Sequence, residues 1–460
     1  MIYSIKVNRI DYQKISQKLQ DHLLKEGALS ARELCVRLGV SQPVFSRIVG
    51  NLKSQILTTG SARLTRYALK KEIAHVGTHV PVYQITPKGK TIKFAVLHAV
   101  YPKGFYLESH VPTAQSRFFA DLPYFLADLK PTGFLGRLVP KMHPELGLPP
   151  DIRLWSTQHH LKYLTQFGWD TVGNYIIGDA AFNLYLQNSN QAQNNVALKK
   201  RPALYPKLAE KVLESGMAGS SAGGEQAKFL GTKGPHITPV LVKFSPVINN
   251  QIAERMADLL LCEHLAHSVL AKHGCPSAKS EIIEGGKRLF LEIERFDRCQ
   301  NQGRLGLMSL GSLDMGHVGQ MTRWGEISEA LFNSMIINET LNQQIHFLEF
   351  FGTLIGNNDM HPGNISLFVD GETILKLAPV YDMLPMLYYP ANNQLFTRTL
   401  TPPLPNPNHA PVWIKSWHAA MTFWNRVKGH RLLSTEFKKI AVENIKTLET
   451  MRQWHKKLPL

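Results

Sequence analysis

Cysteine, long apolar runs and acidic residues are all scarce in this chain of 460 residues. Its four cysteines, none of them in a Cys-x-x-Cys pair, are Cys35, Cys262, Cys275 and Cys299. This scatter argues against a disulfide framework and against a cysteine-based zinc site. No stretch reaches the ~18 apolar residues of a transmembrane helix, and the N-terminus lacks the apolar core of a signal peptide. We therefore expect a cytoplasmic protein in a reducing compartment, with no membrane partner.

The shortage of acidic residues leaves a strong positive charge. Lysine and arginine total 52 against 35 aspartates and glutamates, which gives a net charge of +17. Such an excess favours an anionic partner, either a nucleic acid or a phosphate-bearing ligand, over a merely basic soluble protein. Apolar residues make up 44% and charged residues 19% of the chain, which excludes collagenous, coiled-coil and largely disordered classes. At ~100–200 residues per domain, about three domains are expected.

More than half of this charge lies in residues 1–71, where 13 lysines and arginines face 4 acidic residues, a net charge of +9. The pattern predicts a helix over 12–25 and two shorter helices joined by Leu38–Ser41. A capping box, Ser30–Glu33, opens the first short helix, and residues 56–71 are typical of a hairpin with a basic tip. This order of elements predicts a winged helix-turn-helix.

A winged helix-turn-helix predicts duplex DNA as a partner. Three polar residues lie on the face of the third helix opposite its apolar side, and two arginines lie near the hairpin tip. The candidate DNA-binding residues are Gln42, Ser46, Arg47, Arg63 and Arg66. A structural bundle or a protein-docking module is the alternative. The basic hairpin and the Gln-Pro-x-x-Ser-Arg pattern resemble winged helix-turn-helix transcription regulators, which favours DNA.

The middle of the chain, from about 75 to 185, predicts mixed β and α structure. Val80–Ile85 and Thr91–Leu97 are strand-like, with glycine and proline between them. The polar stretch Gln187–Asn195 predicts a surface loop or a linker.

The densest pattern of polar residues follows an apolar run and reads Gly-Asn-Asn-Asp359-Met-His-Pro-Gly-Asn364. Asp359 and Asn364 have the Asp-x-x-x-x-Asn spacing of protein-kinase catalytic loops, where the carboxylate faces the attacking hydroxyl and the amide faces a metal. An Asx-rich turn is the alternative for this pattern alone. Asp382 ends a strand-like segment 18 residues beyond Asn364, which suits a second metal-binding carboxylate.

Two features upstream complete the pattern. The small-residue loop 220–228 could wrap phosphates with its backbone amides, although it lacks the Walker sequence and could equally be a linker. Lys243 is a single lysine in an apolar strand, and Glu263 on the next helix is placed to pair with it. A salt bridge of Glu263 with Arg255 is the alternative. These features follow one another in the order found in a two-lobed phosphotransferase: a glycine loop, a strand lysine, a helix glutamate, Asp-x-x-x-x-Asn and a strand-end aspartate.

Over residues 75–460 the sequence resembles the HipA-like serine/threonine kinases. The resemblance is strongest at 220–228, 290–298, 355–368 and 379–385, and the fused N-terminal domain is similar to the YjjJ/HipH branch. It implies an α+β multidomain fold: a winged helix-turn-helix, a mixed α/β intermediate subdomain, and a two-lobed protein-kinase-like core with a mainly helical C-terminal lobe. The corresponding boundaries are 1–72, 73–215 and 216–460, with the N-terminal lobe ending near 298 and the helical lobe spanning 299–460.

The resemblance also implies site residues. Asp359 would be the catalytic base, and Asn364 and Asp382 would be magnesium ligands. The backbone of 294–296 would hold the adenine. Ser220 and Ser221 fall near the family's autophosphorylated serine, whose modification silences the enzyme. The full set of implied ATP-binding residues is Ala222, Gly223, Gly224, Glu225, Gln226, Lys228, Lys243, Glu294, Arg295, Phe296, His361, Asn364, Tyr381 and Asp382.

The function implied by the resemblance is that of an ATP- and magnesium-dependent serine/threonine protein kinase of the toxin type, fused to a DNA-binding domain. Several family members phosphorylate aminoacyl-tRNA synthetases, so we expect such an enzyme or another translation component as the substrate. A separate DNA-binding antitoxin usually restrains them and is a further expected partner. The alternative is a DNA-binding transcription regulator, or a nucleic-acid-acting toxin, whose kinase-like fold only senses nucleotide. The presence of Lys243, Asp359, Asn364 and Asp382 favours the kinase.

Overall fold

The computed structural model of the protein describes residues 11–188, 195–216, 226–405 and 407–458. The predicted glycine loop from Ser220 to Glu225 lies outside the described residues, as does most of the predicted polar linker. Within these ranges, no helix is both long enough and apolar enough to cross a membrane.

The first part of the described chain packs helices against a small antiparallel sheet with the strand order β1-β3-β2. Its elements are α1 (Tyr12–Glu26), β1 (Leu29–Ser30), α2 (Ala31–Leu38), α3 (Gln42–Asn51), β2 (Ile56–Thr59) and β3 (Arg66–Leu69). The predicted capping box is confirmed, because Ser30 Oγ accepts from Glu33 N–H at 3.3 Å and the Glu33 carboxylate accepts from Ser30 N–H at 2.7 Å. The predicted hairpin is also present, with Ile56 opposite Leu69.

The middle part is built on an antiparallel sheet with the order β7-β6-β5-β4-β8. Its elements are β4 (His79–Ile85), β5 (Thr91–Ala99), β6 (Phe105–Ser109), β7 (Arg117–Phe119), α4 (Gly133–Met142), α5 (Thr157–Phe167), β8 (Tyr175–Ile177) and α6 (Asp179–Asn188). The two predicted strands are confirmed as β4 and β5. Their apolar residues alternate toward a core that includes Val82, Phe94 and Leu97.

The next part is a sheet with the order β12-β13-β11-β10-β9, covered by a long helix. Its elements are β9 (Asn195–Val196), α7 (Arg201–Gly216), β10 (Lys228–Lys233), β11 (Thr238–Phe244), α8 (Gln251–Lys272), β12 (Ser280–Gly285) and β13 (Arg288–Glu294). β9 pairs with β10, and Tyr205 of α7 packs in the same core as Phe229 and Phe290. Residues 195–215, assigned by sequence to the middle domain, therefore lie with this sheet.

The last part is mainly helical. Its elements are β14 (Gly306–Ser309), α9 (Leu310–His317), α10 (Trp324–Asn333), α11 (Glu339–Leu354), β15 (Ser366–Asp370), β16 (Thr373–Leu377), α12 (Ala410–Gly429) and α13 (Thr435–Thr450). α11, α12 and α13 pack around buried aromatic side chains that include Phe351, Trp424 and Phe437. The chain leaves α11 into a polar turn, forms the β15–β16 hairpin and returns to Asp382, which places the predicted catalytic residues at one edge of this lobe.

Candidate active site

Lys243 on β11 lies between two carboxylates. Its Nζ is 2.7 Å from both Oε1 and Oε2 of Glu263, and it also contacts Asp382 Oδ1. The side chains of Lys243 and Glu263 are 5% and 1% exposed, whereas Asp382 is 31% exposed. The predicted pairing of Lys243 with Glu263 is confirmed. Arg255, the alternative partner, instead lies over the ring of Phe437.

The charges of this triad of Lys243, Glu263 and Asp382 depend on one another. Burial disfavours the ammonium, but Asp382 and Glu263 outweigh it and hold the pKa of Lys243 above its ordinary value. Burial also disfavours the Asp382 carboxylate, but Lys243 and Lys228 hold the pKa of Asp382 well below its ordinary value. Burial raises the pKa of Glu263, and Lys243 offsets this only in part. Asp382, the partly exposed carboxylate of the triad, is therefore the one whose ionised form the surrounding charges favour.

The backbone at Asp382 is held in a strained conformation. Its φ is +51°, in the left-handed region that residues with a side chain rarely adopt. Two contacts hold it there: its N–H donates to Glu263 Oε1 at 3.1 Å, and its carbonyl accepts from Asn357 Nδ2 at 3.4 Å. Strain that the surrounding contacts maintain is typical of functional positions.

Hydrogen bonds to the backbone of Asp359 hold the turn after α11. Asn364 Nδ2 donates to the carbonyl of Asp359 at 2.8 Å, and Asn357 Oδ1 accepts from Asp359 N–H at 3.1 Å. Because the Asn364 amide nitrogen is used in this bond, its oxygen is the atom left to face a cation. The carboxylate of Asp359 is on an exposed residue. Burial and the negative charge of Asp382 raise the pKa of Asp359, although His361 acts in the opposite direction.

The same turn is supported from below by α10. Trp324 Nε1 donates to the carbonyl of His361 at 3.0 Å, while His361 Nδ1 accepts from Gly363 N–H at 3.1 Å. The imidazole of His361 therefore orders the backbone between Asp359 and Asn364, and its ring lies on an exposed residue.

Aromatic side chains form a wall beside the turn. The Tyr381 hydroxyl donates to the carbonyl of Gly363 at 2.8 Å and lies 2.7 Å from Ser366 Oγ. Its ring stacks on Phe296 with the centroids 5.9 Å apart. Phe296 lies two residues after the end of β13, so this stack joins the segment that leaves the sheet to the helical lobe. A flat apolar wall at this position suits a planar ring ligand.

In the segment at the end of β13, two backbone N–H groups already have hydrogen-bond partners and so are not available to bind a ligand. The N–H groups of Glu294 and Arg295 donate to the carbonyls of Lys279 and Pro239, at 2.9 and 3.0 Å. The guanidinium of Arg295 points away into a buried ion network with Asp170 and Asp297. Arg295 can therefore contribute to a nucleotide site only through its backbone.

The buried ion network joins the middle part of the chain to this connection. Asp170 Oδ1 accepts from Arg295 at 3.0 Å and from Arg298 at 2.7 Å. Asp297 Oδ2 also accepts from both arginines, at 3.1 and 2.8 Å, and accepts from Gly173 N–H at 3.0 Å. Burial disfavours the Asp297 carboxylate, but the two arginines hold its pKa well below its ordinary value.

The donor set of the site suits magnesium. An Asp382 carboxylate oxygen and the Asn364 amide oxygen are the hard oxygen ligands that Mg²⁺ prefers. Lys228 lies opposite Lys243 in the β10–β11 register and adds positive charge near Asp382. Gln226 Nε2 donates to the carbonyl of Phe244 at 2.5 Å. The remaining predicted phosphate-binding residues, from Ala222 to Glu225, lie outside the described residues.

The sequence did not assign a role to Asn357, which joins the turn that carries Asp359 to Asp382. Its Oδ1 accepts from Asp359 N–H, and its Nδ2 donates to the Asp382 carbonyl. Its place beside Asp359 in the Gly-Asn-Asn-Asp run was the available signal. The candidate DNA-binding residues lie elsewhere, on α3 and on the β2–β3 hairpin, and all are exposed. Arg47 donates to the Tyr12 hydroxyl at 3.0 Å, and Arg66 lies 3.6 Å from Glu33.

Comparison with known proteins finds two matching family models and a related toxin. Residues 76–186 match the family model described as the YjjJ-like toxin, middle domain, and residues 220–454 match that of the HipA-like C-terminal domain. The toxin YjjJ of Escherichia coli (strain K12) is 33% identical over 431 residues, which cover 92% of this chain and 95% of that protein.

Similarity extends to solved structures. HipA from the Shewanella oneidensis MR-1 complex of HipA, HipB and operator DNA matches with a TM-score of 0.50 and 14% identity, covering 82% of this chain and 98% of that chain, which shows a shared fold. The Helicobacter pylori proinflammatory kinase CtkA matches with a TM-score of 0.37 and 14% identity over 52% of this chain and 93% of that chain, a score too low to establish the same fold.

Proposed function

The chain belongs to the family of HipA-like toxins that includes YjjJ, and on this basis we propose that it is an ATP- and magnesium-dependent serine/threonine protein kinase. One observation carries the proposal: the bond from Asn364 Nδ2 to the Asp359 backbone carbonyl, which closes the turn between the two residues and leaves the Asn364 amide oxygen for a cation. The Lys243, Glu263 and Asp382 triad supplies the positive and negative charges that a nucleotide and its metal need.

In the proposed reaction Asp359 accepts the proton of the substrate hydroxyl while that oxygen bonds to the γ-phosphorus of ATP. The bond from this phosphorus to the β–γ bridging oxygen breaks, and ADP leaves. The raised pKa of Asp359 makes it a better proton acceptor than an ordinary carboxylate, and its exposed position admits a protein side chain. Asn357 and His361 position the turn that carries it. Asn364 and Asp382 would hold magnesium, which when bound neutralises charge on the phosphates.

The nucleotide would lie between the sheet and the helical lobe. Lys243 would bind the phosphates while Glu263 holds its ammonium in place. The adenine would lie against the Phe296 and Tyr381 stack. Because the N–H groups of Glu294 and Arg295 are already donated within the sheet, the carbonyl of Glu294 and the N–H of Phe296 are the groups left to read its edge.

Incubation with γ-labelled ATP and magnesium tests the proposal. We expect label to appear on serine or threonine of the protein or of an added substrate. Asp359→Asn should abolish transfer yet bind ATP normally, because an amide cannot accept the hydroxyl proton. Asp21→Asn, on an exposed aspartate of α1, is the matched control and should transfer phosphate normally. Transfer at the parental rate by Asp359→Asn contradicts the assignment, and ATP binding without any transfer supports the nucleotide-sensing alternative.

The cellular role that we propose is that of a toxin acting in the cytoplasm. The relative from E. coli is named a toxin, and we propose growth inhibition through phosphorylation of a cellular protein such as an aminoacyl-tRNA synthetase or another translation component. Autophosphorylation of Ser220 or Ser221 would limit it. HipA occurs in a complex with HipB and DNA, which supports a separate antitoxin partner here. Growth arrest on induction of the parent but not of Asp359→Asn tests this role.

We also propose that residues 1–72 form a winged helix-turn-helix that binds duplex DNA. Supporting this proposal, Gln42, Ser46 and Arg47 are exposed along one face of α3, and Arg63 and Arg66 are exposed on the hairpin. Side chains on a recognition helix read base edges, whereas hairpin arginines contact phosphates or the minor groove. Changing Gln42 or Arg47 should therefore relax sequence preference, at ~1–3 kcal/mol for each good bidentate base contact.

A further inference from the structure

Three side chains from different helices meet in the helical lobe, on elements that the proposed reaction does not use. Glu329 lies on α10, His346 lies on α11, and His409 is the residue that precedes α12. One oxygen of Glu329 and one ring nitrogen from each histidine all lie within 4.8 Å of one another. We propose that Glu329, His346 and His409 form a binding site for a divalent transition metal of the zinc class.

The distances between these atoms suit a small, low-coordinate ion. Glu329 Oε1 is 2.9 Å from His346 Nε2 and 3.5 Å from His409 Nε2. Zinc bonds of about 2.0–2.2 Å separate neighbouring tetrahedral ligand atoms by about 3.3–3.6 Å. The two pairs that include Glu329 are therefore within a few tenths of an ångström of this spacing, and the two histidine nitrogens lie within 4.8 Å of each other.

The chemistry of the three groups is that of a His₂Glu zinc site. Imidazole nitrogen and carboxylate oxygen are zinc ligands, and three protein ligands leave a fourth position for water. The two imidazole rings stack with centroids 3.9 Å apart, and the Nε2 atom of each lies within 3.5 Å of the same oxygen, Glu329 Oε1. One oxygen cannot serve two imidazoles and the Asn342 amide equally well, whereas a cation would engage both nitrogens and the oxygen together.

The surroundings support ligand binding in two further ways. Asn342 Nδ2 donates to Glu329 Oε1 at 3.2 Å, and Ser328 Oγ donates to Asn342 Oδ1 at 2.6 Å, so the carboxylate is oriented by a second layer of bonds. The side chains of His409 and Glu329 are 21% and 37% exposed, which leaves a path from solvent.

The site would connect the start of α12 to α10 and α11, the two helices that support the turn that carries Asp359. The described residues 401–405, shortly before α12, form no helix or strand, and this part of the chain is rich in proline, with Pro402, Pro403, Pro405 and Pro407. α11 runs directly into the turn that carries Asp359. A bound ion would therefore stabilise this lobe against local opening.

Titration of the full-length protein with cobalt and zinc, after treatment with a chelator, tests the proposal. We expect one Co²⁺ per chain with the intense visible absorption of a four- or five-coordinate site, displaced by Zn²⁺, and a thermal midpoint that rises with Zn²⁺. His409→Gln, on a partly exposed residue, should weaken binding by more than the ~10–100-fold that follows loss of an outer-shell partner, and should abolish both signals. His346→Gln should act in the same way.

The matched control is His143→Gln, since His143 Nδ1 forms a two-group pair with Glu145 Oε1 at 3.0 Å. It should bind cobalt as the parent does. Cobalt absorption of equal strength in His409→Gln, or a parent that shows neither absorption nor a zinc-dependent thermal shift, would overturn the proposal and leave a hydrogen-bonded cluster. Circular dichroism of each variant shows whether a lost signal reflects the site or a loss of folding.

Discussion

Replacing Lys243 with methionine isolates the charge of the buried triad. Methionine keeps an unbranched apolar stem of similar length, so packing against β10 and β13 changes little. Glu263 and Asp382 then lose the cation that contacts both of them. Removing one partner of a buried ion pair costs about 3–5 kcal/mol, because the remaining charge stays buried without compensation.

How much stability is lost within this range depends on the exposed fraction of each carboxylate side chain. Asp382 is 31% exposed and can regain water, whereas Glu263 is 1% exposed and cannot. We therefore expect the lower end, about 3 kcal/mol. A factor of ten in an opening equilibrium corresponds to about 1.4 kcal/mol, so amides in β11 and α8 should exchange about 100-fold faster in Lys243→Met.

The loss should also depend on pH. Burial already raises the pKa of Glu263, and the charge of Lys243 is what offsets it, so in the variant this pKa rises further. A carboxyl with a raised folded-state pKa destabilises the fold at pH values above that pKa, and the penalty fades as the pH falls toward the unfolded value of about 4.3. Lys243→Met should therefore lose less stability at about pH 5 than at about pH 8.

Hydrogen–deuterium exchange with mass spectrometry measures these effects peptide by peptide, with rates corrected for intrinsic pH dependence. Lys279→Met is the matched control, since Lys279 is 84% exposed and its ammonium lies 4.0 Å from Glu294, and exchange should not change there. Adding Glu263→Gln to Lys243→Met should restore part of the protection. Parental exchange of β11 and α8 in Lys243→Met would refute the buried pairing.

Three further outcomes are expected. Asp382→Asn should weaken magnesium-dependent ATP binding by more than ~10-fold, because a charged metal ligand is lost; unchanged affinity by calorimetry contradicts this role. Mass spectrometry after exposure to ATP should find phosphate on Ser220 or Ser221, and the added charge of about −1.5 to −2 should stop transfer by repelling ATP phosphates; both serines unmodified, with another site labelled, would count against it. Arg63→Ala with Arg66→Ala should weaken DNA binding alike for all sequences and lower the salt slope by about 1 for each phosphate that an arginine no longer neutralises, and a gel-shift titration with an unchanged slope argues for a protein-docking role.

Features that depend on neighbouring residues could be predicted from the sequence. The capping box at Ser30 and the glycine end of α1 follow from short patterns, and both are present. The spacing of Asp359 and Asn364 is also local, because the amide reaches back only five residues. The pairing of Lys243 with Glu263 was predictable because a strand followed by its covering helix brings two such positions together.

Features that join distant segments could not be predicted. The ion network brings together Asp170 and Arg295, which are 125 residues apart in the sequence, and no local pattern in either segment predicts contact with the other. The predicted boundary at 216 left residues 195–215 with the middle part. Their place with the following sheet depends on β9 pairing with β10, which is a contact between short strands separated by a helix. The cluster of Glu329, His346 and His409 needs the packing of α10, α11 and α12, whose relative placement the helical pattern leaves open.

The ion network between the middle part and the connection after β13 has a practical consequence for dissecting the protein. Apart from Asp297, the groups in other segments that accept hydrogen bonds from Arg295 and Arg298 are the Asp170 carboxylate and the carbonyls of Thr171 and Gly173. Arg304 likewise donates to the carbonyl of Trp169 at 2.7 Å. A fragment that starts after these residues would remove the Trp169 carbonyl from Arg304 and leave Arg295 and Arg298 with Asp297 as their one remaining carboxylate partner. We therefore expect the two C-terminal lobes to need the middle part, and expression trials should keep it attached.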